Sequence, residues 1–188
     1  MSEASSNLHP PLAAAPRRPD ARFLFSHPAH AIALGLGSGL SPVGPGTVGT
    51  LWAWLAFVAF DRWLDPLLWG GVLLAGLIVG WWACTITARH LAVPDPSAIV
   101  WDEVIAFWLV LWLVMPAGFW GQLCAFLLFR FFDIAKPGPV AWADGLFKPR
   151  RDATGARLIG WRQGFGILLD DLVAALCTLV LIALWRAW

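Results

Sequence analysis

Leu67-Leu-Trp-Gly-Gly-Val-Leu-Leu-Ala-Gly-Leu-Ile-Val-Gly-Trp-Trp-Ala-Cys-Thr-Ile-Thr-Ala88 carries no charged side chain from end to end. As a helix rising ~1.5 Å per residue, it is long enough to cross the ~30 Å hydrocarbon core of a bilayer. Gly76 and Gly80 within it form a small-xxx-small pair suited to close helix packing. The rest of the chain agrees with this reading. Of its 188 residues, 59% are hydrophobic and 13% charged, with mean hydropathy +0.69. Soluble domains carry about 25% charged residues, so this composition suits lipid.

Working outward, residues 47–64 form a second apolar run, broken by Asp61 and Arg62. Residues 104–132 form a third, interrupted at Pro116-Ala117-Gly118, a strong turn signal. Each half is short for a span, which predicts a helical hairpin that either spans or is re-entrant. The last helix is expected over about 166–185. The fold class that follows is all-α: a polytopic helical membrane protein with about four to five membrane helices, some short or re-entrant. Residues 1–30, rich in Pro, Ala and Ser, read as a disordered cytoplasmic N-terminal arm with no cleaved signal. Residues 31–188 read as one membrane-embedded domain without internal repeats.

Orientation comes from Lys and Arg in the short loops. Arg17, Arg18, Arg22, Arg89, Lys136, Lys148, Arg150, Arg151, Arg157 and Arg162 alternate with segments holding only Arg62 and Arg186. The first set is therefore cytoplasmic. The chain has 14 Trp and no Tyr. Trp52, Trp63, Trp69, Trp81, Trp82, Trp101, Trp120 and Trp185 are expected as interfacial anchors. A net charge of +1 gives no field for nucleic acid.

Acidic residues interrupt this apolar chain at the ends of its runs: Asp102 and Glu103, Asp133 beside Arg130, Asp144, and Asp170 with Asp171. A carboxylate near lipid costs roughly 2.5–3.5 kcal/mol even on the gentler insertion scale. Helix-end charges suiting the dipole would explain any one pair. All of them, however, fall at the cytoplasmic interface once topology is drawn. Carboxylates converging at one depth are what a hard divalent cation asks for, and magnesium binds through one or two of them plus substrate phosphate. Arg130 and Lys136 flank Asp133 at three-residue spacing and could hold that phosphate. The segment from Gly35 through Thr47 is a second contributor. Its glycines allow close backbone approach, and a helix starting near Thr47 offers N–H groups to an anion. No Gly-Lys-Ser/Thr closes it, so it is not a nucleotide loop. These residues by themselves indicate a cytoplasm-facing, metal-dependent site for a phosphorylated, lipidic substrate, or an ion path.

Other motifs lead nowhere. Cys84, Cys124 and Cys177 lie in apolar runs as small hydrophobes, and only four residues separate Cys84 from Arg89, one too few for a cysteine phosphatase loop. His9, His27, His30 and His90 lack metal-ligand spacing and read as solvated surface groups.

The order of four motifs resembles the phosphatidylglycerophosphatase A family. They are Gly37-Ser-Gly-Leu-Ser-Pro-Val-Gly-Pro-Gly-Thr-Val-Gly-Thr50, Ile99-Val-Trp-Asp-Glu-Val104, Phe129-Arg-Phe-Phe-Asp-Ile-Ala-Lys-Pro137 with Trp142-Ala-Asp144, and Gly164-Phe-Gly-Ile-Leu-Leu-Asp-Asp171. The resemblance runs from about Gly35 to the C-terminus. It implies a magnesium-dependent (Mg2+) enzyme of the bacterial inner membrane that removes the terminal phosphate of phosphatidylglycerophosphate, giving phosphatidylglycerol and inorganic phosphate in phospholipid biosynthesis. Matching positions imply Asp102, Glu103, Asp133, Asp170 and Asp171 as catalytic, with Asp102, Asp133 and Asp171 as metal ligands and Glu103 as base. Arg130 and Lys136 would contact phosphate, cradled by Gly37, Ser38, Ser41, Gly46, Thr47 and Thr50. The pattern departs at 145–163, where this chain has a longer, basic link whose residues could favour anionic lipid. Two other classes compete. A transporter or channel needs charges along the membrane depth. An alcohol phosphatidyltransferase needs an Ala-Arg two residues after its Asp-Gly, and Asp144-Gly145 is followed by Leu146-Phe147-Lys148.

Overall fold

A computed structural model describes residues 18–147 and 159–188. Among them there are helices and no strands. The helices are α1 (Ala21–Ser26), α2 (Pro28–Ala33), α3 (Pro45–Phe60), α4 (Pro66–Leu91), α5 (Trp101–Val114), α6 (Phe119–Ala135), α7 (Pro139–Leu146) and α8 (Trp161–Ala187), with a 3₁₀ segment at Gly35–Leu40.

Local chemistry sets the boundaries. Proline occupies the first turn of α2, α3, α4 and α7, where its missing N–H is no loss and its fixed φ suits a helix. Asp20 and Asp65 cap α1 and α4, accepting from Phe23 N at 2.8 Å and Leu68 N at 2.9 Å. Ala92 and Lys136 end α4 and α6 in the left-handed conformation. The expected break at 116–118 separates α5 from α6. By length and composition α4 and α8 can each cross a membrane.

The expected small-residue groove on α4 is filled by α5. A Cβ on Gly76 would strike Ile105, and one on Gly80 would strike the Trp101 ring; Trp101 Nε1 donates to Gly76 O at 3.0 Å. α5 is the central helix: Val104, Ile105, Ala106, Phe107, Val110 and Leu111 are all buried. The outer faces of α3, α4 and α8 instead expose Leu55, Leu74, Ile78, Val180 and Leu184. That inversion, packed within and aliphatic without, is what a lipid environment rewards.

Two expectations need correcting. Trp69 and Trp108 lie in the core, with Trp69 stacked on Phe57 at 4.3 Å and edge-on to Trp108 at 5.8 Å. Trp69 is therefore packing, whereas Trp63, Trp120 and Trp185 are exposed as anchors should be. The second correction concerns the arm. Residues 1–17 lie outside the described residues, but 21–26 and 28–33 are helical, and Leu24, Ala29, His30 and Ala33 are buried. His30, read as a solvated surface group, is 3% exposed. Its Nδ1 faces Phe23 O at 2.9 Å and Ser26 Oγ at 3.0 Å. Since a carbonyl only accepts, Nδ1 carries the proton and donates, and His30 Nε2 accepts from His90 Nδ1 at 2.8 Å. This bond pins α2 to the end of α4. Burial lowers the His30 pKa; its bond to Phe23 O opposes this, and the His90 and His27 charges reinforce it.

Two stability tests follow. Gly80→Val should overpack the Trp101 contact and cost about 1–3 kcal/mol, read as a lower melting temperature in detergent. His30 is held neutral by the fold, so its contribution is complete above the ordinary histidine pKa and is lost as pH falls towards its lowered value. His30→Gln should thus show a smaller drop in melting temperature between pH 7 and pH 5.5 than the unsubstituted chain.

Candidate active site

The site begins with how the first turn of α5 is placed. Val100 N donates to Ala33 O at 2.9 Å, and the Val100 side chain occupies space that a Cβ on Gly35 or Gly49 would take. Gly39 lies against the Ala98 carbonyl in the same way. The glycine-rich segment therefore lets residues 98–100 press against α3 and the 3₁₀ segment, which delivers Asp102 and Glu103 beside the start of α3. Gly46, in the first turn of α3, leaves the space that the Glu103 carboxylate fills, and a Cβ there would lie 3.2 Å from Arg130 Nη2. One turn later the buried Thr50 donates from Oγ1 to Gly46 O at 2.8 Å and accepts from Arg130 Nη1 at 3.3 Å.

From α6, Arg130 Nη1 pairs with Asp133 Oδ2 at 2.5 Å and lies 3.7 Å from Glu103 Oε1. These three side chains are each 12–13% exposed. From α8 comes Asp171, 3% exposed, with Asp133 beside it. Asp102, Glu103 and Asp171 each offer one carboxylate oxygen, all within 4.8 Å of one another. Asp102 Oδ1, Glu103 Oε2 and Asp171 Oδ2 are buried without a hydrogen-bond partner, as is Arg130 Nε. Three clustered carboxylates, each with a buried oxygen that lacks a partner, are costly unless a cation shares them. The unpartnered Nε–H beside them calls for an acceptor, such as an anion's oxygen. Hard oxygen donors in this number fit a magnesium-type ion, which completes its shell with water and phosphate.

The expected ligand set was Asp102, Asp133 and Asp171. The structure groups Glu103, expected as the base, with Asp102 and Asp171, and engages Asp133 with Arg130. Neighbours on one helix turn diverge by about 100°, so the sequence alone could not show that Glu103 shares a cluster with Asp102.

The two basic residues do not work as a pair. Arg130 serves Glu103, Asp133 and Thr50, whereas Lys136 Nζ donates to Asp144 Oδ1 at 2.9 Å and Asp170 Oδ2 at 2.5 Å. Burial lowers the Lys136 pKa, but its bonds to Asp170 and Asp144 outweigh that and raise it above the usual lysine value, so the amine stays charged. Within the expected phosphate cradle, Gly46 and Thr50 touch the carboxylate–Arg130 cluster. Ser38 Oγ donates to Gly35 O at 2.9 Å and Ser41 Oγ to Val43 O at 2.8 Å. Gly37 has φ 109° and lies near Leu24, so Gly37, Ser38 and Ser41 build the turn. Thr47 sits in the first turn of α3. One contact that motif reading missed is Thr85, whose side chain fills the space above Gly164 and lets α8 approach α4 closely. The available signal was Gly164, six residues before the Asp170–Asp171 pair. Most of the basic link, 148–158, lies outside the described residues.

Removing Arg130 would leave Glu103 and Asp133 buried without a counter-charge. Arg130→Met should cost about 3–5 kcal/mol, a fall in melting temperature of roughly 10 °C for a chain this size; Glu103→Gln should cost less.

Comparison with known proteins bears on this site. A family profile described as Phosphatidylglycerophosphatase A matches residues 31–186. A protein named "Phosphatidylglycerophosphatase A" from Escherichia coli (strain K12) is 37% identical over 163 residues, covering 85% of this chain and 86% of that protein. One of the same name from Haemophilus influenzae is 31% identical over 162 residues, covering 86% and 91%. A "Putative phosphatidylinositol-3-phosphatase" from Bacteroides thetaiotaomicron is 33% identical over 162 residues, covering 82% and 91%. No solved structure matches.

Proposed function

The chain belongs to the phosphatidylglycerophosphatase A family, and from that premise we propose that it hydrolyses phosphatidylglycerophosphate to phosphatidylglycerol and inorganic phosphate, with magnesium, at the cytoplasmic face of a bacterial inner membrane. The observation that carries this reading is the cluster of Asp102, Glu103 and Asp171, each with a buried oxygen that lacks a partner, set beside a buried arginine whose Nε–H also lacks one.

The trio would hold the ion, which when bound draws charge from phosphoryl oxygens and lowers the pKa of water. Arg130 contributes a planar donor fork to the phosphate. Asp133 and Thr50 fix its orientation, so that little side-chain entropy is lost when phosphate arrives. The burial of these groups excludes bulk water and strengthens each interaction.

Helix lengths support a membrane placement with several short members. α3, α5 and α6 have 16, 14 and 17 residues, about 24, 21 and 26 Å, each a little under the ~30 Å core. Together with α4 and α8 they make a bundle of about five helices. Acids or their partners stand at one end of all three short members: Gly46 on α3, Asp102 on α5, Asp133 on α6. This depth suits a lipid whose phosphorylated headgroup enters the site while its acyl chains remain in the bilayer. A transporter would place charge along the bundle, whereas the buried described residues below this level include no charged side chain.

The test is phosphate release by the purified protein in mixed micelles from phosphatidylglycerophosphate, phosphatidylinositol 3-phosphate and phosphatidic acid. Release from the first should require Mg2+, stop with chelator and return when the ion is restored. Asp171→Asn should lower turnover by roughly 10²-fold, the loss expected when a reacting geometry slips by about 1 Å. Metal at 100 times its Kd should stabilise the fold by about 2.7 kcal/mol. Metal-independent release, or full turnover by Asp171→Asn, would overturn the reading. Preference for the inositol lipid would transfer the site to that substrate.

A further inference from the structure

Lys136 occupies a position whose backbone favours a different residue. It ends α6 with φ 43° and ψ 53°, the left-handed conformation in which glycine is the default helix terminator. The turn alone does not call for lysine. The side chain does: its Nζ links α7 through Asp144 and α8 through Asp170, joining both to the end of α6. Asp170 is 8% exposed, so its charge depends on that amine. Asp170 and Asp171 are consecutive on α8 and project about 100° apart around its axis. With Asp170 drawn towards Lys136, Asp171 is turned towards α5, where one of its carboxylate oxygens lies within 4.8 Å of oxygens of Asp102 and Glu103.

We propose that Lys136 is a positioning residue: by anchoring Asp170 it sets the rotation of α8 and aims Asp171 into the cation-binding trio, and it is not a phosphate ligand. The inference rests on the reading of that trio as a metal site and adds to it the group that orients one of its members. Without the amine, Asp170 is left among acids, including Asp144 on α7. The helix relieves this by turning Asp170 towards water, and Asp171 moves out of the trio with it. Neutralising Asp170 as well removes the reason to turn. The two acids thus have separable roles: one binds the ion, the other is the handle by which the first is held.

The experiment uses the full-length protein in detergent and Mn2+ alone as the probe, with bound and free ion measured by electron paramagnetic resonance and no lipid substrate present. Lys136→Met should weaken Mn2+ binding by about 10- to 100-fold, the usual range for groups that orient a metal ligand. The double variant Lys136→Met/Asp170→Asn should recover most of the lost affinity. Steady-state kinetics of the same proteins give a second readout. Under this proposal the activity lost in Lys136→Met returns as metal is raised, while KM for the lipid stays near its original value. If Lys136→Met binds Mn2+ like the unsubstituted chain and shows only a raised KM, Lys136 is a phosphate ligand and the proposal fails. It fails too if the double variant binds no better than the single one. Should Lys136→Met not fold, the double variant decides: near-normal Mn2+ affinity supports the proposal and lost affinity overturns it. An unsubstituted chain that binds no Mn2+ would remove the trio itself, a result distinct from any confined to Lys136.

Discussion

Uncompensated negative charge in a dry place is the constraint around which this molecule is arranged. Asp102, Glu103, Asp133, Asp170 and Asp171 converge on one level of an apolar bundle. Among the described residues Arg130 and Lys136 are the bases that meet them. Bringing carboxylates together against their mutual repulsion, and out of water, is unfavourable unless each gains a partner. Arg130 satisfies one side of Glu103 and Asp133, and Lys136 satisfies Asp170. Oxygens of Asp102, Glu103 and Asp171 remain without partners. On the proposed reading a cation satisfies these oxygens, so folding stability and ion binding are two aspects of one balance.

Convergence of this kind needs close backbone approach, which explains where the glycines fall. Gly46 makes room for the Glu103 carboxylate, Gly49 and Gly35 for Val100, Gly76 and Gly80 for Ile105 and Trp101, and Gly164 for Thr85. Each contact lies between a neighbouring element and either α8 or α5 with its N-cap Val100, the two helices that carry most of the acids. The apolar side of the same helices is filled with large rings, among them Trp69, Trp108, Phe107 and Phe129. Such packing resists small rearrangements and so fixes the distances between the acids from below, while the glycine contacts fix them from the side.

Much of this was legible in the sequence because the signals were local. An uninterrupted apolar run marked α4, a long apolar run headed by Asp170 and Asp171 marked α8, the Pro116-Ala117-Gly118 break marked the division between α5 and α6, and charge asymmetry singled out one end of the bundle. Acids spaced across more than sixty residues could be named as candidates because each sits at the edge of an apolar run, where it needs a reason. What could not be read was direction. Whether Glu103 or Asp133 joins Asp102 depends on helix rotation, and whether Lys136 meets a phosphate or a carboxylate depends on where α7 lies. Trp69 was misread because a tryptophan at a run's end looks the same whether it faces headgroups or Phe57. His30 was misread because its partner, His90, is distant in sequence, and because its burial needs both the Phe23 ring of α1 stacked on it and α2 docked on α4.

The separation of Arg130 from Lys136 changes how the two basic residues should be weighed. Spacing alone makes them equivalent, one on either side of Asp133. Their surroundings make them different: Arg130 keeps a donor unpartnered next to the acceptor trio, whereas Lys136 is paired with Asp170 and Asp144. A guanidinium suits the first place because its planar fork can serve Asp133, Glu103 and an incoming anion at once. An ammonium on a flexible stem suits the second, where two carboxylates from different helices must be bridged from a tight turn. The choice of base at each position thus follows from the number and direction of the acceptors around it. That is why exchanging them, though it preserves charge, would disturb the two halves of the site in different ways.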